Sequence, residues 1–165
     1  MSVGARVAGA APRADSGVDG VMNAIGWLAP GFEIVQSHFP GWKFRAPDTV
    51  ADWALHGTLL IGPPQPPSRL GGAVAAALES LTLALSCNGR FVEHGRGFNV
   101  LGSPLVAVAH LMSVLASEPR STPLQAGEIV TTGTITTAQS VWAGEIWRSD
   151  IQGIGLQGIA VEFLA

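Results

Sequence analysis

Leu81, Leu83, Leu85 and Cys87 alternate with Thr82, Ala84 and Ser86, the period-two pattern of a strand with one buried face. Asn88-Gly89 follows directly, ahead of Phe91-Val92, and that dipeptide favours a tight hairpin. Residues 128–132, 139–142, 145–150 and 158–163 read as further strands parted by glycines, and 32–35 and 58–61 as two more. Helical spacing is rarer. Met22, Ile25 and Leu28 predict a helix from an Asp19 cap through Leu28, ended by Pro30-Gly31. Ser103-Pro104 opens a second, running to about Ser117, apolar nearly all round and so expected to be buried. Residues 49–55 are short helical or irregular. Four prolines between 63 and 67 deny both helix and ladder, so 62–68 is a stiff spacer. Residues 1–17, with Arg6, Arg13 and no aromatic, suit an edge strand or a loose arm. Ala-Gly-Glu-Ile recurs at 126–129 and 143–146, too little for a repeat architecture. The expected fold is α+β: mainly a β roll or sandwich with a few packed helices, one domain over 1–165.

Composition narrows the function. Hydrophobic residues make up 47% of the 165 and charged ones 13%, against about 25% charged in ordinary chains. So few charges cover a surface poorly, which points to a homo-oligomer, a dimer or larger. A net charge of −3 with nine Lys/Arg offers no basic patch, so no nucleic-acid partner is expected. Cys87 is the sole cysteine, which excludes an intrachain disulfide and a thiolate metal site; it reads as a small buried hydrophobe. Glu79, Pro104 and His110 interrupt the best apolar runs, so no membrane span is expected. His110 itself reads as a core or interface histidine. Without an apolar leader the chain is expected to be cytoplasmic.

Candidate chemistry gathers in residues 30–62. Glu33 lies within Gly-Phe-Glu-Ile-Val, where an unpartnered carboxylate is costly to bury. Such a group suits a general acid or base; its structural alternative is a pairing with Lys43 or Arg45. His38 and His56 are candidate proton carriers, or ordinary loop residues. Lys43 and Arg45 suit a substrate carboxylate or enolate, the arginine through its fork, and equally suit an exposed loop. Trp42 and Trp53 could wall an apolar pocket or belong to the core. Asp48 and Asp52 fit helix capping and a loop hydrogen bond as well as catalysis. Thr132-Gly133-Thr134 is a candidate substrate-binding turn. No phosphate loop, dinucleotide fingerprint, serine elbow or His/Cys metal cluster is visible.

Several segments, taken in order, resemble the hydratase/decarboxylase branch of the fumarylacetoacetate hydrolase superfamily (2-oxopent-4-enoate hydratases and 4-oxalocrotonate decarboxylases). They are Asn23-Ala-Ile-Gly-Trp-Leu-Ala-Pro, Phe32-Glu-Ile-Val, Asp48-Thr-Val-Ala-Asp, Leu60-Ile-Gly, Asn88-Gly-Arg and Gly95-Arg-Gly. Val100-Leu-Gly-Ser-Pro-Leu, Leu124-Gln-Ala-Gly-Glu-Ile-Val and Thr132-Gly complete the set. The resemblance implies the C-terminal-domain fold of that superfamily and a lyase or isomerase acting on a small molecule. It also implies that a glutamate at the Glu33 position ligates a divalent metal.

Members of that branch are longer at the N-terminus. Their extra part holds a catalytic lysine and a Glu-x-Glu or Glu-x-Asp strand that supplies two further ligands. Counting back from Asp15, that strand falls at residues 1–3, where there is no carboxylate. Gln36-Ser37-His38, Trp53 and Ser103 depart from the family pattern as well. No cofactor is therefore expected, and the metal role of Glu33 is left to an alternative. The first reading is a metal-independent hydratase-like enzyme doing hydration, isomerisation or cyclisation on a small oxo, enol or diene substrate. The alternatives are a 2-oxo-alkenoate hydratase or decarboxylase using Mg²⁺ or Mn²⁺ and completed by another chain, and a non-catalytic partner subunit.

Overall fold

The alternating stretch at 81–87 forms the centre of one of two four-stranded sheets in the computed structural model, which describes residues 1–8 and 17–164. Strand β4 (Thr82–Cys87) pairs with β5 (Arg90–Arg96) through the predicted Asn88-Gly89 hairpin. Both turn residues hold positive φ, 49° and 75°, as such a turn demands. On its other side β4 pairs with β7 (Ile146–Gln152), which carries β8 (Ala160–Glu162), giving the order β5-β4-β7-β8. All pairings are antiparallel. The second sheet has the order β3-β2-β1-β6, from β1 (Ser2–Val7), β2 (Ile25–Val35), β3 (His56–Ile61) and β6 (Ile129–Thr131).

One core lies between the sheets. Val3, Leu28 and Phe32 meet Leu83, Leu85, Trp147 and Ile151 there. It is closed by Val21 of α1 (Gly17–Ala24), Leu78 of α3 (Val74–Ser80), and Leu105, Val108 and Met112 of α4 (Pro104–Ser117). The short helix α2 (Ala46–Ala51) bears no buried residue. Two glycines permit close approaches. A Cβ on Gly97 would sit 1.7 Å from the Leu78 carbonyl oxygen, and one on Gly95 would sit 2.5 Å from Ile135 Cγ2. The first lets α3 lie on the end of β5; the second lets the chain after β6 press against β5.

Several expectations are corrected. Residues 2–7 are neither an edge nor a loose arm: β1 is an interior strand with β2 and β6 on its flanks, its small side chains packed on both faces. Residues 9–16, with Arg13 and Asp15, lie outside the described residues. The first helix ends at Ala24, because Ile25 onward is drawn into pairing with β1 and buries Leu28 and Ala29. Pro30 sits inside β2 without harm. Its carbonyl accepts from Gly62 N at 2.9 Å, so its nitrogen faces the side where β3 has already ended and no ladder donor is missed.

Residues 139–142 form no strand. Helix α4 is buried on one face only, and Val106, His110 and Val114 stand exposed, so His110 is not a core residue. The stretch Gly97–Ser117 does have the length and apolar composition of a span, mean hydropathy 1.8. It is divided, however: a 3-10 turn at Gly97–Asn99 precedes a helix of 14 residues, about 21 Å long against a hydrocarbon core of about 30 Å.

Candidate functional site

Between the two sheets lies a cavity of about 290 Å³. β1 contributes Ser2, β2 contributes Glu33, β4 Leu85 and β7 Trp147, and a strap from Gly133 to Val141 closes one side. The strap is tied to the sheets rather than paired as a strand. Ile135 N donates to Met1 O at 2.8 Å, and Asn99 Nδ2 donates to Ile135 O at 3.0 Å. The Glu93 carboxylate of β5 accepts from Thr137 N at 3.0 Å, from the Thr137 hydroxyl at 2.7 Å and from Gln139 Nε2 at 3.4 Å. These bonds, the Thr137 hydroxyl foremost, hold the Glu93 carboxyl below its ordinary range. The segment 139–142 is irregular: Gln139 reaches Glu93 through its side chain, and Trp142 N donates to the Glu145 carboxylate at 2.9 Å.

Glu33 is at the wall, but less buried than its sequence neighbourhood implied. Its side chain keeps 33% exposure, and its partner is His56 rather than Lys43 or Arg45. His56 Nδ1 lies 3.5 Å from Glu33 Oε1, with 47% of the histidine side chain exposed. The bulge between Ile34 and Val35 creates this pair. Glu33 stands opposite Leu59 and Val35 opposite His56, so the carboxylate and the imidazole become diagonal neighbours on one face. The arrangement sets a cavity-lining carboxylate beside an imidazole that is about half exposed.

The other candidates divide. Gly133 and Thr134 line the cavity as expected. Thr132 does not: it is buried, and its hydroxyl donates to Val3 O at 3.0 Å to anchor the strap. His38 is not brought to Glu33. It is an exposed loop residue whose ring pairs with Asp52, while its backbone N donates to Asp52 Oδ2 at 3.1 Å. Those bonds lower the Asp52 pKa, the backbone one most. Asp48 serves α2, accepting from Arg45 N at 2.8 Å. Lys43 and Arg45 are exposed, and neither lines the cavity. Trp42 and Trp53 wall nothing, being 55% and 85% exposed on a segment held at positive φ. Cys87 is half-buried, and desolvation raises its pKa.

Ser2, Glu93, Thr137, Gln139 and Trp147 were not singled out by sequence. The Thr-rich run at 131–137 was the available signal for the strap; nothing local marks Glu93 as its anchor.

Comparison with known proteins places this geometry. Residues 3–161 match the family model described as fumarylacetoacetate (FAA) hydrolase C-terminal. The 2-hydroxyhexa-2,4-dienoate hydratase of Comamonas testosteroni is 38% identical over 116 residues, 70% of this chain and 41% of the relative. A 4-oxalocrotonate decarboxylase of Pseudomonas putida is 33% identical over 121 residues, 73% of this chain and 43% of the relative. The structure of the 4-oxalocrotonate decarboxylase from Pseudomonas putida G7 with magnesium and adipate superposes with a TM-score of 0.85 at 27% identity. That match covers 99% of this chain and 59% of the decarboxylase. The chain thus spans about two-fifths of the curated relatives it matches.

The expectation that no cofactor is needed is overturned by these neighbours. The same decarboxylase has been solved with magnesium and with calcium. In the present chain Glu33 with His56 offers two donors. Among the described residues no group of three His, Cys, Asp or Glu side chains converges to hold an ion. Hard divalent cations take about six or more oxygen ligands, so the described residues do not by themselves fit a complete site. Ser2, where the resemblance puts the ligand strand, does border the cavity, opposite Gly31.

Proposed function

This chain belongs to the fumarylacetoacetate (FAA) hydrolase C-terminal family, and on that footing we propose that it performs hydratase-like acid–base chemistry on a small oxo, enol or diene compound held in the cavity. The observation that carries this reading is the Glu33–His56 pair, 3.5 Å apart, with Glu33 in the cavity wall. Glu33 Oε takes a proton from a carbon next to a carbonyl, or from an enol oxygen, and returns it to the neighbouring carbon. That transfer alone shifts the double bond. In hydration a water oxygen then bonds to the far carbon of the conjugated C=C as its π bond opens, one water proton passing to the carbon next to the carbonyl. Dehydration is the reverse, the C–O bond breaking as the hydroxyl leaves with a proton. His56, open to solvent, exchanges the proton with water between turnovers. The apolar wall formed by Phe32, Leu85 and Trp147 keeps other water from the reacting carbon. The hydratase and decarboxylase names of the relatives support a lyase; hydration or dehydration fits them better than isomerisation.

The family's divalent ion, where bound, supplies a polarising positive charge, and Glu33 is the carboxylate this chain would offer it. Further donors would have to come from outside the described residues, which favours the variant of this proposal in which another chain completes the site. Association is part of the reading, since Val50, Trp53 and Trp142 are 79%, 85% and 71% exposed. A cytoplasmic setting is compatible with a lone cysteine that forms no disulfide.

The test is proton exchange. Incubated in D₂O with a small 2-oxo compound, the protein is expected to exchange the protons next to the carbonyl, and Glu33→Gln to abolish the enhancement. Equal exchange by both proteins would remove Glu33 from the mechanism.

A further inference from the structure

Resting on the hydratase-like reading of the cavity, we infer that Thr136 holds the oxygen added to the substrate's far carbon, first as water and then as the product's hydroxyl. It thereby selects a 2-oxo acid bearing a hydroxyl at that carbon over one without it. Thr136 lines the cavity and is only 4% exposed, and its hydroxyl has no hydrogen-bond partner among the described residues. A buried hydroxyl left unpaired is costly, and valine, of nearly the same outline, would avoid the cost. The other hydroxyls and the amide bordering the cavity are already bonded within the protein. Ser2 donates to Gly31 O at 3.4 Å, Thr134 to Thr136 O at 2.5 Å, and Thr137 to Glu93 at 2.7 Å. The Gln139 amide donates to Glu93 at 3.4 Å and to Thr137 Oγ1 at 2.8 Å. Thr136 alone among them is unspent. Rotation about its Cα–Cβ bond exchanges hydroxyl and methyl in the same space, so the hydroxyl can turn to a ligand without moving the strap.

Its place in the fold suits that task. Ile135 N donates to Met1 O at 2.8 Å, and Ser2 stands opposite Gly31 of β2. The strap and the β2 segment bearing Glu33 therefore flank the start of β1 from its two sides, about 10 Å apart at two strand spacings. Both side chains border the cavity, so they address one small molecule from opposite directions. In the acid–base reading the substrate's carbonyl end lies at Glu33, which leaves the strap to the far carbon. The oxygen that arrives there is neutral both as water and as alcohol, and a neutral partner suits it. Thr136 Oγ1 accepts from the O–H that remains. The water's lone pair is then left to form the C–O bond, and its other proton passes to the carbon next to the carbonyl.

Two acids of equal charge and equal carbon chain test this, 2-oxopentanoate and racemic 4-hydroxy-2-oxopentanoate. Each is titrated into wild type, Thr136→Val and Thr136→Ser with excess Mg²⁺, following the indole N–H resonance of Trp147 by NMR. The hydroxylated acid is expected to bind the wild type about tenfold more tightly, the worth of one hydrogen bond made to an otherwise unpaired hydroxyl. Thr136→Val should lose that preference and Thr136→Ser keep it. The thermal midpoint of ligand-free Thr136→Val should not fall, since no bond within the protein is removed. Equal binding of the two acids, binding of neither, a preference that survives in Thr136→Val, or a lowered midpoint in that variant overturns the inference. Its failure is separable from failure of the acid–base reading. Equal binding with Glu33-dependent proton exchange leaves that reading standing, and a Thr136-dependent preference with exchange intact in Glu33→Gln leaves only the oxygen site.

Discussion

Replacing Glu33 by Gln and His56 by Ala, singly and together, separates a catalytic pair from a structural one. At the observed 3.5 Å, two unit charges attract by about 1 kcal/mol in water and about 5 kcal/mol at an effective dielectric of about 20. The side chains keep 33% and 47% exposure, so solvent screens them and the lower figure applies. Exposed pairs contribute about 0.2–1 kcal/mol in double-mutant cycles. The coupling in urea unfolding, followed by tryptophan fluorescence, is therefore expected to stay below about 1 kcal/mol. Proton exchange should respond very differently. Loss of a positioned acid–base group costs about 100-fold or more in rate, equivalent to about 2.7 kcal/mol of barrier. The expected signature is a large kinetic loss in Glu33→Gln, a smaller one in His56→Ala, and near-unchanged stability in both. A coupling above about 3 kcal/mol in unfolding, the range for breaking a buried pair, together with a rate loss under threefold would refute the reasoning and make the pair structural.

Three further outcomes are expected. Because its hydrogen bonds depress the Glu93 pKa below 4.5 in the folded chain, the native state binds fewer protons than the unfolded one; this stability is present above that pH and lost as pH falls through the depressed value. The protection factor of the Thr137 amide, taken against its intrinsic rate at each pH, should therefore fall on acidification, and Glu93→Gln should show the lower protection already at neutral pH. Gly97→Ala forces a Cβ to within 1.7 Å of a backbone oxygen, so thermal unfolding should show a loss beyond about 3 kcal/mol or no folded protein. Light scattering should find a dimer or larger that Trp53→Ser weakens, while the variant's own unfolding moves by less than about 0.5 kcal/mol; a monomeric wild type refutes the association.

Local pattern determined much of this protein. Alternation at 81–87 with Asn88-Gly89 gave the hairpin, Ser103-Pro104 gave the start of α4, and the ordered segments around Glu33 gave the family and its α+β fold, because strand period, turn chemistry and helix capping act over a few residues. What depended on distant residues was not legible. The helix expected through Leu28 lost four residues to a strand, since pairing with β1 and burial of Leu28 outweigh a short helical preference.

The partner of Glu33 followed the same division. Lys43 and Arg45 are nearer in sequence than His56, but a bulge and an antiparallel register bring the histidine across. Likewise Glu93 and Thr137, 44 residues apart, meet only because β5 and the strap share a wall. The sequence by itself settled the β4–β5 hairpin, the start of α4 and the family to which the chain belongs; tertiary structure alone decided where the first helix gives way to a strand, which charges meet and what faces the cavity. Propensity is a sum over neighbours along the chain, whereas a site is assembled from side chains that only the register of the sheets brings together.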